Sequence, residues 1–162
     1  MLERGDIRTA PVQRLIDDMI ETMREYHGVG LAAPQIHEGV RLFVAAIDVG
    51  TSGDEDDDAE DFEPIVLINP EITPIGGDLV EDWEGCLSIP DIRGLVPRAK
   101  EIAVRAYDRQ GDRIEIRARD FPARVIQHET DHLDGVLFLD RMESLDSLTF
   151  LDEYSRYWAK RS

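Results

Sequence analysis

The sequence of 162 residues has one cysteine, Cys86, so no disulfide can form within the chain. Basic residues are scarce, with 18 Lys and Arg against 35 Asp and Glu, and the net charge is −17. Such a charge argues against nucleic acid and against an anionic membrane as the main partner, because both are themselves negative. No apolar run is long enough to span a bilayer, and charges throughout residues 1–25 leave no apolar signal-peptide core. We therefore expect a soluble cytoplasmic protein that binds neither DNA nor membranes.

The composition is typical of one globular domain. Hydrophobic residues make up 42% and charged residues 33% of the chain, and no repeat or long linker divides it. We expect a single domain over residues 1–162. Eight of the thirteen residues at 51–63 are acidic, which predicts a solvated loop inserted in that domain.

Apolar spacing predicts the secondary structure. Helical periodicity predicts helices at 11–26, 122–133 and 145–158, with Gly135 as a left-handed cap after the second of them. Short apolar or alternating runs predict strands at 42–49, 65–68, 101–107 and 113–119, and a short strand or extended stretch at 136–139. The pair at 101–107 and 113–119 is separated by a turn segment and predicts a hairpin. Strands linked by hairpins and grouped between helices predict an α+β fold with mainly antiparallel sheet.

The strongest chemical signal is the segment HETDH at residues 128–132, inside the predicted helix 122–133. His128 and His132 are four residues apart and share one helix face, so both imidazoles can reach one metal ion. Glu129 adjoins the first of them and can take a proton from water without binding the metal. Two histidines can meet on a polar face by chance, but the apolar neighbours of this motif indicate a buried helix and favour the metal site.

Two histidines leave a catalytic metal site incomplete, so a third ligand is required. Phe138 stands where a metzincin-type site would have its third histidine. Glu153 lies at the downstream distance of a thermolysin-like site, and Cys86 offers a thiolate within EGCLSIP at residues 84–90. The residues alone leave Cys86 and Glu153 as alternatives.

A third segment, GVGLAAPQ at residues 28–35, is rich in small residues that let the backbone approach a ligand or another element closely. It lacks the glycine spacing of a dinucleotide loop and the lysine of a phosphate loop. Taken alone, it is best explained by tight packing between a helix and a strand.

Together, GVGLAAPQ, EGCLS and QHETDH resemble the three signature motifs of the peptide deformylases, in the family's order. The resemblance runs from about residue 12 to residue 142 and favours Cys86 over Glu153 as third ligand. It implies a deformylase-like fold, with mainly antiparallel sheets around a central metal-binding helix. The implied activity is hydrolysis of the formyl group from the N-terminal formyl-methionine of newly made polypeptides, with release of formate.

The resemblance also implies the parts of the metal site. Cys86, His128 and His132 would bind a divalent metal, Fe²⁺ in the cell, with Zn²⁺, Ni²⁺ or Co²⁺ as alternatives in preparations. Glu129 would be the general base. The Gln35 side chain and the backbone N–H of Leu87 would stabilise the oxyanion.

Further residues are implied to contact the substrate or to support the ligands. Glu84 and Arg93 would form an ion pair that braces the Cys86 segment. Many family members have an apolar residue in place of Arg124, near the methionine pocket. The implied substrate-binding residues are Val29, Gly30, Gly85, Phe121 and Val125.

The sequence departs from the family at both ends. The segment before the first helix is shorter than usual, and helix 145–158 lacks the basic character of a helix that docks on the ribosome, so the ribosome is a weakly supported partner. We expect a monomer. Two alternative functions stay open: a metallopeptidase that uses Glu153, and an inactive deformylase-like protein that binds peptides.

Overall fold

The structure is a computed structural model, and it describes residues 2–49, 63–86 and 88–157. The predicted acidic loop at 51–63, apart from Glu63, and the predicted oxyanion donor Leu87 both lie outside the described residues.

The described residues form eight strands and four α-helices. The strands are β1 (Gly30–Ala32), β2 (Leu42–Ala45), β3 (Ile65–Pro74), β4 (Leu79–Cys86), β5 (Ile89–Ala99), β6 (Glu101–Tyr107), β7 (Arg113–Arg119) and β8 (Thr149–Phe150). The helices are α1 (Ala10–Glu25), α2 (Asp120–Leu133), α3 (Phe138–Arg141) and α4 (Leu151–Tyr157). Among the residues covered, none of these helices combines the length and the apolar character needed to cross a membrane.

The strands form two antiparallel sheets. One has five strands in the order β1-β2-β3-β6-β7, and the other has three in the order β4-β5-β8. The hairpin of β6 and β7 has the predicted bounds, with Glu101 opposite Arg119 and Tyr107 opposite Arg113. The predicted α+β class with mainly antiparallel sheet is confirmed.

The five-stranded sheet lies between α1 and α2, and β2 shows why. Leu42 and Val44 pack in the core cluster that contains the apolar face of α1, whereas Phe43 and Ala45 pack in the cluster that contains α2. Successive side chains of a strand point to opposite faces, so a strand covered on both faces must be apolar throughout. This is the physical basis of the continuous apolar run that predicted the strand.

Helix α2 occupies the centre of the molecule. It contacts β1, β2 and β7 of the five-stranded sheet and also β5 of the three-stranded sheet. Gly135 follows its end with φ 74°, and its N–H donates to the carbonyl of His132, as predicted for a left-handed cap. Residues of both sheets therefore meet on the faces of one helix.

Of the predicted strands, the one at 42–49 is too long and the one at 65–68 is too short. The hairpin of β4 and β5 is not predicted. The strand predicted at 42–49 ends at Ala45, while the strand predicted at 65–68 continues to Pro74 after a bulge between Ile68 and Glu71. The hairpin of β4 and β5 has no clean alternation of apolar and polar residues, because most of β4 is exposed.

Two C-terminal predictions differ from the structure over part of their length. Residues 136–139 are predicted as a short strand or extended stretch. Leu137 is extended, but α3 begins at Phe138, with the Leu137 N–H donating to the Asp140 carboxylate as a helix cap. The helix predicted at 145–158 begins only at Leu151, because Thr149 and Phe150 pair with β5 as strand β8.

Candidate metal centre and active site

Three of the predicted site residues meet at one point. The ligand atoms of Cys86, His128 and His132 all lie within 4.8 Å of one another, and the Cys86 Sγ is 3.2 Å from the His132 Nε2. Cys86 is the last residue of β4, and the two histidines lie one turn apart on α2. The contact of β4 with α2 therefore assembles the group that sequence spacing alone left incomplete.

The Cys86 sulfur is a thiolate at neutral pH. Burial opposes its ionisation, but hydrogen bonds from His128 and His132 outweigh that effect and lower the pKa of the Cys86 thiol to about 5. A thiolate is the form of cysteine that binds metals.

His128 is oriented by Glu84, a buried residue of β4. The His128 Nδ1 is 2.8 Å from the Glu84 Oε1. Burial again opposes the charge of Glu84, but hydrogen bonds from His128 and Arg98 hold the pKa of its carboxyl down to about 2. Because the carboxylate can only accept, Nδ1 carries the proton and Nε2 is left for the centre of the cluster.

The cluster as a whole favours a positive charge. Burial lowers the basicity of His128, yet its hydrogen bonds with Cys86 and Glu84 raise the pKa of the imidazole to about 10. The two anionic partners thus attract a cation to the space between the thiolate and the rings.

The prediction that Glu84 forms an ion pair with Arg93 is wrong. Within the described residues Glu84 pairs instead with Arg98, through two hydrogen bonds of 2.9 Å, and with Arg124 at 2.5 Å. The register of β4 and β5 explains the error: Glu84 lies opposite Gly94, and Arg98 shares the face of Gly94, whereas Arg93 points to the other face. The Arg93 guanidinium lies there over Gly85, and a Cβ built on Gly85 would collide with its Nη1.

Arg98 also joins the second carboxylate of the network, and this role was missed from the sequence. Its guanidinium pairs with Asp131 of α2, which in turn accepts two hydrogen bonds from Arg141. In the sequence, Asp131 adjoins His132 in the helix motif, and Arg98 follows the apolar residues Leu95, Val96 and Pro97. Those two signals, joined, point to a buried ion pair between α2 and β5.

Glu129 faces the centre from the other side. It is 5% exposed, and its Oε2 is the one buried side-chain polar atom among the described residues that has no hydrogen-bond partner. Burial raises the pKa of this carboxyl to about 7 against the opposing effect of the two imidazoles. A carboxyl with such a pKa can both take and give a proton near neutral pH.

Gly30 gives Glu129 its space. A Cβ built on Gly30 would lie 2.7 Å from the Glu129 Oε1 and 2.9 Å from its Cδ. The small residues of GVGLAAPQ thus serve close packing of β1 on α2, at the residue next to the first histidine.

Gln35 reaches the cluster from the 3₁₀ turn Ala33–Ile36. Its Oε1 accepts the Ala32 N–H at 2.8 Å, which fixes the amide. Its Nε2 then points at Ser88, 2.9 Å from Oγ, and at the Cys86 Sγ at 3.5 Å. An N–H donor is therefore held beside the cluster.

A cavity of about 180 Å³, called the central cavity here, opens beside the cluster. It lies between β1 and β4, each of which is an edge strand of its sheet. Every predicted substrate-binding residue lines it, namely Val29, Gly30, Gly85, Phe121 and Val125.

Glu153 does not join the cluster. It is exposed on α4, a helix that packs on β5 and β8, and the group of ligand atoms found in the described chain contains Cys86 instead. The metallopeptidase alternative therefore lacks its third ligand.

The residues present fit a divalent transition metal. One thiolate and two imidazoles supply three ligands, and three protein ligands leave one position open, as in catalytic rather than structural sites. The carboxylate behind His128 orients its ring as carboxylates do for metal-bound histidines.

Comparison with known proteins agrees with this geometry. The family model for polypeptide deformylase matches residues 3–147. Peptide deformylase 2 of Nostoc sp. is 44% identical over 157 residues, which are 97% of this chain and 86% of the relative. Peptide deformylase 2 of Bordetella bronchiseptica is 43% identical over 94% of this chain and 92% of its own.

Solved structures of similar proteins share the fold. A class I type b peptide deformylase from Acinetobacter baumannii with Met-Ala-Ser bound has a TM-score of 0.77 and 35% identity, over 87% of each chain. The peptide deformylase of Thermotoga maritima has a TM-score of 0.73 and 38% identity, over 89% of this chain and 86% of its own.

Proposed function

Because the chain belongs to the polypeptide deformylase family, we propose that Cys86, His128 and His132 are its metal ligands and that Glu129 is its general base. The enzyme is metal-dependent and hydrolyses the formyl group from the N-terminal methionine of polypeptides, with release of formate. The observation that carries the assignment of residues is that a thiolate, two imidazoles and a buried carboxylate, whose Oε2 has no hydrogen-bond partner, meet at one cavity.

The ligand set suits several metals. Thiolate and imidazole ligands are compatible with Fe²⁺, Zn²⁺, Ni²⁺ and Co²⁺, and ligand type does not choose among them. We propose Fe²⁺ as the metal in the cell, because members of the family commonly use Fe²⁺. A bound divalent metal supplies a Lewis acid that makes water a nucleophile at neutral pH.

Glu129 transfers a proton from the attacking water to the leaving amine. Its unpartnered Oε2 accepts a proton from the attacking water and then delivers it to the departing amine of methionine. The raised pKa of this carboxyl, about 7, suits both transfers. Gly30 keeps the carboxylate in place because no side chain competes for its space.

Gln35 stabilises the charge that develops on the formyl oxygen. Its Nε2 is held at the cluster by the bond between its Oε1 and the Ala32 N–H, so the donor is oriented before the substrate arrives. The Leu87 N–H, which follows Cys86 directly in the chain, is proposed as the second donor. One such donor contributes about 3–4 kcal/mol in comparable sites.

The substrate lies between the two edge strands. An extended peptide can pair with the outer edge of β1, which has no neighbouring strand among the described residues, and this brings its first side chain to the central cavity. The cavity has room on the order of six water molecules, enough for an unbranched side chain of four heavy atoms. Val29, Phe121, Val125 and the ring of His128 supply contact for a methionine side chain.

The chain is proposed to act as a single metallohydrolase domain in the cytoplasm, where formylated chains are made. Helix α2 supports this because it carries two ligands and packs on both sheets, so neither sheet alone holds the site. Docking on the ribosome through α4 gains little support, since Asp152 and Glu153 outnumber Arg156 on that helix.

The test is anaerobic purification followed by metal analysis and assay of formate release from formyl-Met-Ala-Ser. We expect one metal per chain and formate release, with iron after anaerobic preparation. Acetyl-Met-Ala-Ser is the control for general amide hydrolysis. Formate release that persists after the metal is removed by chelation would contradict the assignment.

A further inference from the structure

A second cavity adjoins the central one. It measures about 160 Å³ and is lined by Val80, Asp82, Arg98, Lys100 and Asp120, among others. Among the described residues, Phe121 and Arg124 line both cavities. These two side chains of α2 therefore stand between the two spaces.

Of the two, Arg124 is the fixed one. It is 7% exposed, and its Nη1 donates to the Glu84 Oε2 at 2.5 Å and to the Val96 carbonyl at 2.8 Å. Its Nη2 donates to the Val80 carbonyl at 2.5 Å. The guanidinium is thus tied to β4 and to β5, whereas Phe121 is 56% exposed at the rim.

A guanidinium is also a poor neighbour for an apolar chain. Its donors are held by the Glu84 carboxylate and by two backbone carbonyls, and an alkyl group cannot replace these hydrogen bonds. An apolar side chain longer than the central cavity would have to displace these hydrogen bonds, which costs free energy because the partners would stay buried and unpaired.

We propose that Arg124 sets the length of substrate side chain that the enzyme accepts, by separating the central cavity from the adjoining one. The inference rests on the proposed function, which places the side chain of the first residue in the central cavity. Unbranched side chains of about methionine length fit in front of Arg124, and longer ones are rejected there.

The test compares side chains of two lengths on one peptide. The substrates are formyl-norleucyl-Ala-Ser, with four side-chain carbons, and formyl-2-aminooctanoyl-Ala-Ser, with six. We expect wild type to prefer the shorter one. Arg124→Ala joins the two cavities and should raise the ratio of kcat/KM for the longer over the shorter substrate by about tenfold or more, because each added methylene is then buried.

Arg124→Met is the matched control. Both variants lose the ion pair with Glu84, which keeps its two bonds from Arg98 in either case. Only Ala opens the space, so Arg124→Met should leave the ratio of kcat/KM near that of wild type even where both rates fall. If Arg124→Ala does not fold, Arg124→Val is the substitute, because it removes the guanidinium but leaves a larger side chain. In this variant the ratio of kcat/KM for the longer over the shorter substrate should rise by a few-fold.

Binding gives an independent readout. Calorimetry with norleucyl-Ala-Ser and 2-aminooctanoyl-Ala-Ser should show the same reversal of preference in Arg124→Ala. A ratio that is unchanged in the folded, metal-loaded Ala or Val variant, or a wild type that already accepts the longer chain equally well, overturns the inference. Wild type that releases no formate from formyl-Met-Ala-Ser would instead contradict the proposed function, and the calorimetry still tests the role of Arg124.

Discussion

Glu129 is buried and its Oε2 has no hydrogen-bond partner, which is costly unless the carboxyl does chemical work. Glu129→Gln keeps the size of the side chain but cannot accept a proton. We expect the variant to keep its metal and to lose activity by about 10²- to 10⁴-fold in kcat. Metal analysis and formate release on the same preparation check this. Near wild-type turnover would show that another group is the base.

Gly30 and Gly28 form a matched pair for testing the space around Glu129. A Cβ on Gly30 would meet the Glu129 carboxylate at 2.7 Å, whereas one on Gly28 would have its nearest neighbour at 3.5 Å, an ordinary contact. Gly30→Ala should therefore displace Glu129 and lower kcat at least tenfold, about 1.4 kcal/mol of barrier. Gly28→Ala should stay within about threefold of wild type. Equal rates for the two variants would remove the role assigned to Gly30.

The third metal ligand separates the deformylase assignment, which uses Cys86, from the metallopeptidase alternative, which uses Glu153. In Cys86→Ser the hydroxyl does not ionise at neutral pH and binds soft metals poorly. We expect loss of activity and a large loss of metal affinity, measured by metal titration. Glu153→Ala is the control and should keep both. Full metal content in Cys86→Ser would point to another ligand.

Much of the site could be predicted at this scale. The two histidines and Glu129 lie within one helical turn, so spacing alone places them together. Cys86 needed the combined resemblance of three motifs, because a contact between residues 46 apart in sequence has no local signature. The pairing of Glu84 with Arg98 rather than Arg93 depends on the face of β5, which requires the strand register.

At the scale of elements, β4, β5 and α2 are joined by a buried network of ion pairs. Arg98 bridges Glu84 and Asp131, and its side chain is 5% exposed. Arg98→Met leaves two carboxylates buried near each other, and we expect the free energy of unfolding to fall by about 3–5 kcal/mol. Urea unfolding measures this. Arg117→Met, which breaks the exposed Arg117–Glu101 pair, should cost less than about 1 kcal/mol.

Helices and strands could be predicted where the apolar pattern of the segment itself determines its structure. Helix α1, the β6–β7 hairpin and α2 follow from apolar periodicity because each buries one face on a continuous core. Residues 145–158 have helical periodicity too, but pairing of Thr149 with Arg93 of β5 takes two of them into a strand. Such a pairing between distant residues overrides local preference and cannot be read from the segment itself.

For the whole molecule, the net charge of −17 implies repulsion that salt should relieve. Residues 54–61 contribute seven of the 35 acidic groups and lie between β2 and β3, whose ends Ala45 and Ile65 are paired. Replacing residues 54–61 with a short Gly-Ser link should leave formate release within a few-fold of wild type. It should also raise the stability to urea at low salt more than at high salt.

The control for this prediction keeps the length and removes the charge, with Asn and Gln in place of the acidic residues at 54–61. A similar gain in both variants assigns the effect to charge, since shortening a loop changes its closure entropy by only about 0.6 kcal/mol per halving. Loss of activity in the shortened chain with its metal still bound would place these residues at the substrate cleft.

The position of α2 between the sheets has a consequence for biosynthesis. A chain made from its N-terminus first releases β1, β2 and the Gln35 turn long before His132. The edge of β1 therefore forms before Glu129 can lie beside it. Glu129 reaches that position only after α2 has been made and has packed against both sheets. Catalytic competence is then among the last properties that the growing chain acquires, and it arises together with the completed core.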